Sequence, residues 1–442
     1  MAILSNILGP RKGFDGGLFL PSHKSRTARR PIETLPVDGP LRVPLTVRRD
    51  LGTAVVVEVG QRVLAGERLS RSIGQEAVPV HAPTSGRIVG LDRAWTPQDG
   101  YLPCAALEPD GRDEAVPQRF GWEDESFIVQ LAEKGVICPR PRQPLHVVIK
   151  QAVAAGVTDL IVNAMETEPY LTADLRTLIE EPGRMIDTTC ELADALGVSR
   201  AVVAVPYRHR AVVKRMQAEA VGRHIEIAAL PDAYPQCHPV LLVKSLLERE
   251  VAPGGSVMDE GAVVLPLGAV RGAARALLDD RAVTHALLTV AGDAVERAGI
   301  YRVAVGTPMR RLARRVGLVS PVSAAVCGGP LTGLALGNED AVVTAEATAL
   351  LLFATAHRPV PSSCIRCGWC IEDCPVGLDP PALMQLESRS QCSTAERHYL
   401  DACIDCGLCS HVCPTQLPLA ETIRRTRLRF GGRPSCNSDA EP

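Results

Sequence analysis

The chain has 442 residues, of which 46% are apolar and 22% charged, and its formal net charge is −2. That balance suits a soluble globular protein of several domains. With no positive excess and only 3% aromatic residues, the chain lacks both the electrostatic footprint and the stacking platforms of a nucleic-acid binder.

The opening run MAILSNILGPRKGFDGG has no charged leader before its short apolar stretch, so no secretory signal is expected. The rest of residues 1–40 is rich in Gly, Pro and Arg and reads as an extended arm. Residues 41–95 read as short strands with tight turns. The segments VVVEVGQRVLAGERL (Val55–Leu69) and VPVHAPTSGRIVGL (Val78–Leu91) alternate apolar and polar positions between Gly and Pro breaks. Together they resemble the two halves of a biotinyl/lipoyl-like barrel-sandwich domain. Carriers of that fold acylate a hairpin Lys, and no Lys stands between Lys24 and Lys134. A structural role is therefore expected.

Residues 96–120 read as a linker. From 121 to 255 short apolar runs such as DLIVNA (Asp159–Ala164), AVVAVPY (Ala201–Tyr207) and IEIAAL (Ile225–Leu230) alternate with helical stretches such as Asp174–Gly197. This predicts a Rossmann-like α/β domain with a parallel sheet. Residues 260–325 predict a small α+β unit, with two strands around a turn and an amphipathic helix after Pro308. CGGPLTG (Cys327–Gly333) reads as a tight turn, since it lacks the Lys-Ser/Thr of a phosphate loop. The longest apolar run, Ala345 to Ala356, is shorter than the roughly 20 residues a bilayer demands. No transmembrane segment is expected, and attachment to a membrane would be peripheral or through a partner. HRPVPSS (His357–Ser363) reads as a second linker. It leads into a cysteine-rich domain at 360–430 that closes on a basic helix (Glu421–Arg429). For RRTRLRF (Arg424–Phe430) two readings stay open, contact with anionic lipid or a solvated helix end. Residues 431–442 read as a disordered tail.

Fifteen cysteines are many for a chain without a secretory signal, and nine of them fall within residues 364–413, eight of these in two tight runs. Clustering of this kind points to metal ligation, not to a disulfide framework. CIRCGWCIEDCPVGLDP (Cys364–Pro380) repeats as CIDCGLCSHVCPTQLPL (Cys403–Leu419), and both read C-x2-C-x2-C-x3-C-P. In that spacing three thiolates wrap one [4Fe–4S] cube and the fourth ligates the other. Cys364, Cys367, Cys370 and Cys413 are expected to hold one cluster, and Cys403, Cys406, Cys409 and Cys374 the second. Gly368 and Gly407 would let backbone amides approach the inorganic sulfides. Zinc, with four ligands in two pairs, fits eight cysteines in this duplicated spacing poorly. Cys104, Cys138, Cys190, Cys237, Cys327, Cys392 and Cys436 show no ligand spacing and are expected to be small packing residues, with Cys392 the one candidate for reactivity.

These runs, with PSHK (Pro21–Lys24), VHAPTSG (Val80–Gly86), NAMETEPYLTAD (Asn163–Asp174), AYPQ (Ala233–Gln236), APGG (Ala252–Gly255), TVAGDAVERAG (Thr289–Gly299), VGTP (Val305–Pro308) and CGGPLTG, resemble the C subunit of the Rnf/Rsx ion-translocating electron-transport complex. The resemblance runs over nearly the whole chain, and the same architecture occurs in the flavin subunit of respiratory complex I and in the cobalamin reductase of microcompartments. It implies a ubiquitin-like (SLBB-type) module at 260–325. It also implies a peripheral subunit on the cytoplasmic side of the bacterial inner membrane, held by membrane-embedded and cluster-carrying subunits.

By the same resemblance the α/β domain would bind FMN and take a hydride from NADH, with Asn163, Glu166, Glu168 and Asp174 standing where the family has its flavin- and nicotinamide-facing residues. The family's glycine-rich loop of the form G-x-G-G-A-G-F-P-T corresponds here to GVICPRPRQPLHVVIK (Gly135–Lys150), where Pro139, Pro141 and Pro144 remove flexibility and amide donors. DAYPQCHPVLL (Asp232–Leu242) lacks the family's Lys and Gly-x-Glu. The expectation is an electron relay whose FMN/NADH site is lost. The rivals are an active NADH:FMN oxidoreductase subunit whose flavin phosphate is held by Arg140 and Arg142, a soluble cobalamin- or ferredoxin-linked reductase, and a cluster-holding scaffold.

Overall fold

The computed structural model describes residues 13–118, 126–338, 340–356 and 360–430. The tail expected at 431–442, with Cys436, and the first twelve residues of the arm lie outside the described residues.

Leu41–Pro44, Gly100–Pro109, Gly86–Thr96 and Arg62–Val63 form one antiparallel sheet in that order, and Thr53–Val55 pairs with Ser70–Ser72 beside it. Leu41, Val43, Val63, Leu69, Ile88 and Leu107 fill the space between them. Gly86 sits so close to its partner strand that a Cβ would meet the Glu108 carbonyl at 2.1 Å. The strand Gly100–Pro109 lies in the stretch read as a linker. It is buried on both faces, Cys104 packing with Ala94 and Val342 and Leu107 with the barrel core, and Gly100, Pro103 and Pro109 obscure the strand in the sequence.

Four parallel strands build the second domain, in the order Ile225–Leu230, Arg200–Pro206, Asp159–Asn163, Ala262–Pro266. Their near-continuous apolar runs suit a sheet covered on both faces. Helices Leu145–Ala154, Pro182–Leu196 and Leu267–Leu278 contribute to the same core. The fourth strand and the helix after it fall beyond residue 255, in the stretch assigned to the ubiquitin-like module. Ala262–Pro266 goes to this sheet because its strand-edge partner is Asp159–Asn163, about 100 residues earlier, a pairing that local pattern does not reveal. Strand order reverses between Asp159–Asn163 and Ala262–Pro266, and in such sheets the crevice for a ligand lies at the C-terminal ends of those strands.

The third domain has a mixed sheet, ordered Ile32–Thr34, Gly299–Ala304, His285–Ala291, Ala349–Phe353, Ala324–Cys327, Leu334–Ala335, with helix Met309–Val316 packed on it. It runs to Phe353, past the expected end at 325, because Ala349–Phe353 inserts centrally between earlier strands. CGGPLTG is thereby a loop within this domain.

The arm ties these parts together. The Gly17 amide donates to the Asp373 carbonyl (3.0 Å), Leu18 and Tyr234 exchange backbone hydrogen bonds (2.9 and 2.7 Å), and Ile32–Thr34 adds an edge strand parallel to Gly299–Ala304. Residues 360–430 form short helices around Leu378, Leu383, Leu400 and Ile423. Among the described residues no helix is long and apolar enough to cross a membrane.

Candidate functional site

The two cysteine runs fold alike. In each Cys-Ile-x-Cys-Gly loop the third residue and the glycine are left-handed: φ is 56° at Arg366 and 84° at Gly368, and 53° at Asp405 and 80° at Gly407. Short helices Trp369–Glu372 and Leu408–His411 follow. The fourth thiol of each run accepts the amide of the residue four further on, Leu378 to Cys374 Sγ at 3.3 Å and Leu417 to Cys413 Sγ at 3.4 Å.

A pocket is lined by Cys374 from the first run and Cys403, Cys406 and Cys409 from the second. Burial pushes the Cys403 thiol up to about 11 and Cys409 up to about 12, and raises Cys406 further, with the neighbouring thiols adding to each. Cys370 is raised to about 11, first by burial and then by Cys367, Cys413 and Cys364. Cys413 is lowered against its burial, because the Thr415 hydroxyl and the Leu417 amide bond to it. Buried thiols of this kind ionise only against a compensating cation. Among the described residues no three His, Cys, Asp or Glu side chains form a group that could hold a metal ion. The four thiols instead line one pocket, and this donor set, three thiols of one run with the fourth from the other, fits an iron–sulfur cluster.

Two side chains outside the runs brace the second loop. Tyr234 Oη donates to the Cys406 carbonyl at 2.5 Å. Arg427 Nη1 donates to the Cys403 carbonyl at 2.5 Å, and its other amino group pairs with Asp405. Arg425 pairs with Glu387 at 2.7 Å. Three arginines of the basic helix (Arg424 lies 3.7 Å from Asp405) are thus engaged within the chain. Neither brace was visible in the sequence, because each partner is fixed by packing at long range. Cys392 is buried and its thiol raised by that burial, the opposite of an activated cysteine.

Of the four residues expected to face a flavin, Glu166 and Asp174 meet, whereas Asn163 and Glu168 turn to other partners. Asn163 Nδ2 donates to the Cys237 carbonyl (2.7 Å). The Glu166 carboxylate accepts the amides of Asp174 and Leu175, both at 2.9 Å, and so caps helix Ala173–Glu180. Buried Lys24, from the arm, donates to the Glu166 carbonyl. Asp174 lies 3.4 Å from Arg271, and burial followed by Glu166 raises its carboxyl to about 7. Glu168 turns away to CGGPLTG, accepting the Leu331 and Thr332 amides (3.1 and 3.4 Å) and the Thr332 hydroxyl.

The altered loop is a hairpin, Ile137–Cys138 against Gln143–Pro144. Arg140 donates to the Thr332 hydroxyl at 2.5 Å. Arg142 is held by the Val47 carbonyl (2.7 Å), Asp99 (2.5 Å) and Glu346 (2.9 Å). Pro139 lies where a Cβ on Gly268 would meet it at 3.2 Å, at the start of helix Leu267–Leu278 beside the strand reversal.

Three family profiles match this chain: RnfC barrel sandwich hybrid domain over 12–112, Nuo51 FMN-binding domain over 142–271, and 4Fe–4S dicluster domain over 349–417. The C subunit of the proton-translocating ferredoxin:NAD(+) oxidoreductase complex of Clostridium ljungdahlii is 30% identical, over 84% of this chain and 84% of that one. The chain belongs to the family of Rnf C subunits. Two further relatives are named as C subunits of an ion-translocating oxidoreductase complex. The one from Salmonella choleraesuis is 31% identical over 94% of this chain, and the one from Rhodobacter capsulatus 28% over 85%. The chain spans 60% of the Salmonella protein's length and 76% of the Rhodobacter protein's.

A barrel sandwich, an FMN-binding-type domain and a 4Fe–4S dicluster domain thus follow one another along the chain. The FMN-domain match begins at residue 142 and leaves Gly135–Pro141 outside it. Both candidate arginines have protein partners, and Pro139 lies beside the start of helix Leu267–Leu278.

Proposed function

We propose that this chain is a peripheral electron-transfer subunit of an Rnf-type membrane redox complex that couples electron flow to ion translocation. Cys364, Cys367, Cys370 and Cys413 would hold one [4Fe–4S] cluster, and Cys403, Cys406, Cys409 and Cys374 the other. Each cluster, when bound, accepts and gives up one electron at a time. The observation that carries the reading is the pocket in which Cys374, from one run, faces three thiols of the other. The chain's own part is to supply the thiolates, to direct the Leu378 and Leu417 amides at Cys374 and Cys413, and to set the Arg427 cation beside the Cys403 loop.

In this reading the flavin-type domain holds no FMN and oxidises no NADH, so electrons enter from a partner. The protein partners of Arg140, Arg142 and Glu168 support it. The third domain, with its first and last main strands parallel at the centre, is read as the ubiquitin-like module. The subunit would sit on the cytoplasmic side of the bacterial inner membrane against membrane-embedded and cluster-carrying subunits.

Anaerobic reconstitution tests the reading. About eight irons and eight sulfides per chain are expected. Stoichiometric zinc with little sulfide would refute it.

A further inference from the structure

The two cysteine runs are equal in sequence and in backbone but unequal in cover. In the second run Ile404 packs with Phe14, Ala233 and Leu241. A Cβ on Gly407 would meet the Leu331 carbonyl at 2.9 Å, and Leu408 is 1% exposed. The matching positions of the first run are Ile365, Gly368 and Trp369. Ile365 is 66% exposed and Trp369 53%, and a Cβ on Gly368 would meet nothing within 4 Å. Ile371 is 42% exposed on the short helix that follows. Cys364 and Cys367 are exposed in the same loop, whereas Cys403 and Cys406 are partly covered.

The near-identical φ values of the two loops exclude local conformation as the cause. Among the described residues one copy of a duplicated surface is a packed interface within the chain, and the other is bare. A rigid loop that presents tryptophan and two isoleucines to water forgoes burial worth about 25 cal/mol per Å2. Aromatic anchors on preformed surfaces are typical centres of protein–protein contact.

We propose that the face made by Ile365, Trp369 and Ile371, beside Cys364 and Cys367, docks a separate one-electron carrier protein. The inference rests on the two-cluster reading, because a redox group held by exposed thiols lies directly beneath this face. Its occupant must come close and exclude water, and it must carry a redox centre of its own. The exposed charges of the loop and its helix, Arg366 and Glu372, have opposite signs and give a bilayer no polybasic footing.

The test places a photo-reactive benzoylphenylalanine at position 369 of the full chain in its own membranes. A cross-link to another protein that contains an iron–sulfur or flavin group is expected. A cross-link to lipid, to a second copy, to the chain's own residues 431–442 or to a protein without a redox group overturns the proposal, and so does no cross-link. In parallel, Trp369→Glu and Ile371→Glu should each keep wild-type iron, sulfide and dithionite reduction while binding to the cross-linked carrier weakens roughly tenfold or more. Undiminished binding in both variants overturns it as well. Iron and sulfide assays on the unaltered chain stand apart from these readouts, so failure of the cluster reading is seen separately from failure of the docking face.

Discussion

The Tyr234 hydroxyl donates to the Cys406 carbonyl at 2.5 Å and so joins the flavin-type domain to the loop of the second cysteine run. Tyr234 is 1% exposed, and burial drives its phenol well above the usual range. It acts as a permanent hydrogen-bond donor. Tyr234→Phe removes that donor and leaves a half-buried carbonyl unpaired, a loss of about 1 kcal/mol. Amide hydrogen exchange across Ile404–Leu408 is expected to quicken roughly five-fold. Unchanged exchange would show that the loop is held by its own residues alone.

Cys374→Ser separates sequence neighbourhood from spatial neighbourhood. The first run supplies Cys374, but its pocket mates are Cys403, Cys406 and Cys409. Iron and sulfide should fall to about half of the roughly eight of each, and the surviving electron paramagnetic resonance signal should be that of the cluster held by Cys364, Cys367, Cys370 and Cys413. Loss of that signal instead would reverse the ligand assignment.

Arg427→Gln removes a cation bonded to the Cys403 carbonyl and leaves Asp405 without this partner. Added electron density on the cluster beside it becomes less favourable. Its midpoint potential should drop by roughly 30–60 mV, the equivalent of about 0.7–1.4 kcal/mol for one electron. A redox titration that shows no shift or a positive one contradicts this.

Asp174 gives the pH dependence a definite sign. Its folded carboxyl is raised to about 7 from an ordinary 3.8, first by burial and then by Glu166. Between these values the folded state binds more protons than the unfolded state, so the stability this group contributes is full below about 4 and is lost as pH rises through about 7. Asp174→Asn should therefore stabilise the α/β domain at pH 8, by on the order of 2 kcal/mol, and flatten the decline between about pH 4 and 7. Thermal melts across that window check it, and a variant less stable than the parent at pH 8 would show that the pair with Arg271 outweighs the burial cost.

FMN titration of the apo-chain should leave flavin fluorescence without a stoichiometric break. Two or three missing charge-assisted bonds of about 1.5–3 kcal/mol each weaken binding by some three or more orders of magnitude. Bleaching of a bound flavin band by NADH would show that Gly135–Lys150 has been rebuilt into a working cradle.

The amino-acid sequence determined whatever depends on neighbours along the chain. The spacing of Cys364 to Cys374 and of Cys403 to Cys413 dictates two equivalent loops, since left-handed positions and short helix starts are set within a few residues. The apolar runs at Asp159–Asn163, Arg200–Pro206 and Ile225–Leu230 likewise announce a parallel sheet. The prolines at 139, 141 and 144, with the departures in Asp232–Leu242, raised the expectation of a lost flavin site. Tertiary packing decided the rest. It gave Ala262–Pro266 to that sheet and made Gly100–Pro109 a strand, because strand partners and core faces are chosen by burial across long stretches of chain. It tied Arg142 to Asp99 and Glu346, and sent Glu168 to Thr332. It also broke the symmetry of the repeat, covering Ile404 and Leu408 while leaving Ile365 and Trp369 in water. Two stretches with the same local instructions can differ in this way because burial depends on what the remainder of the chain brings alongside them.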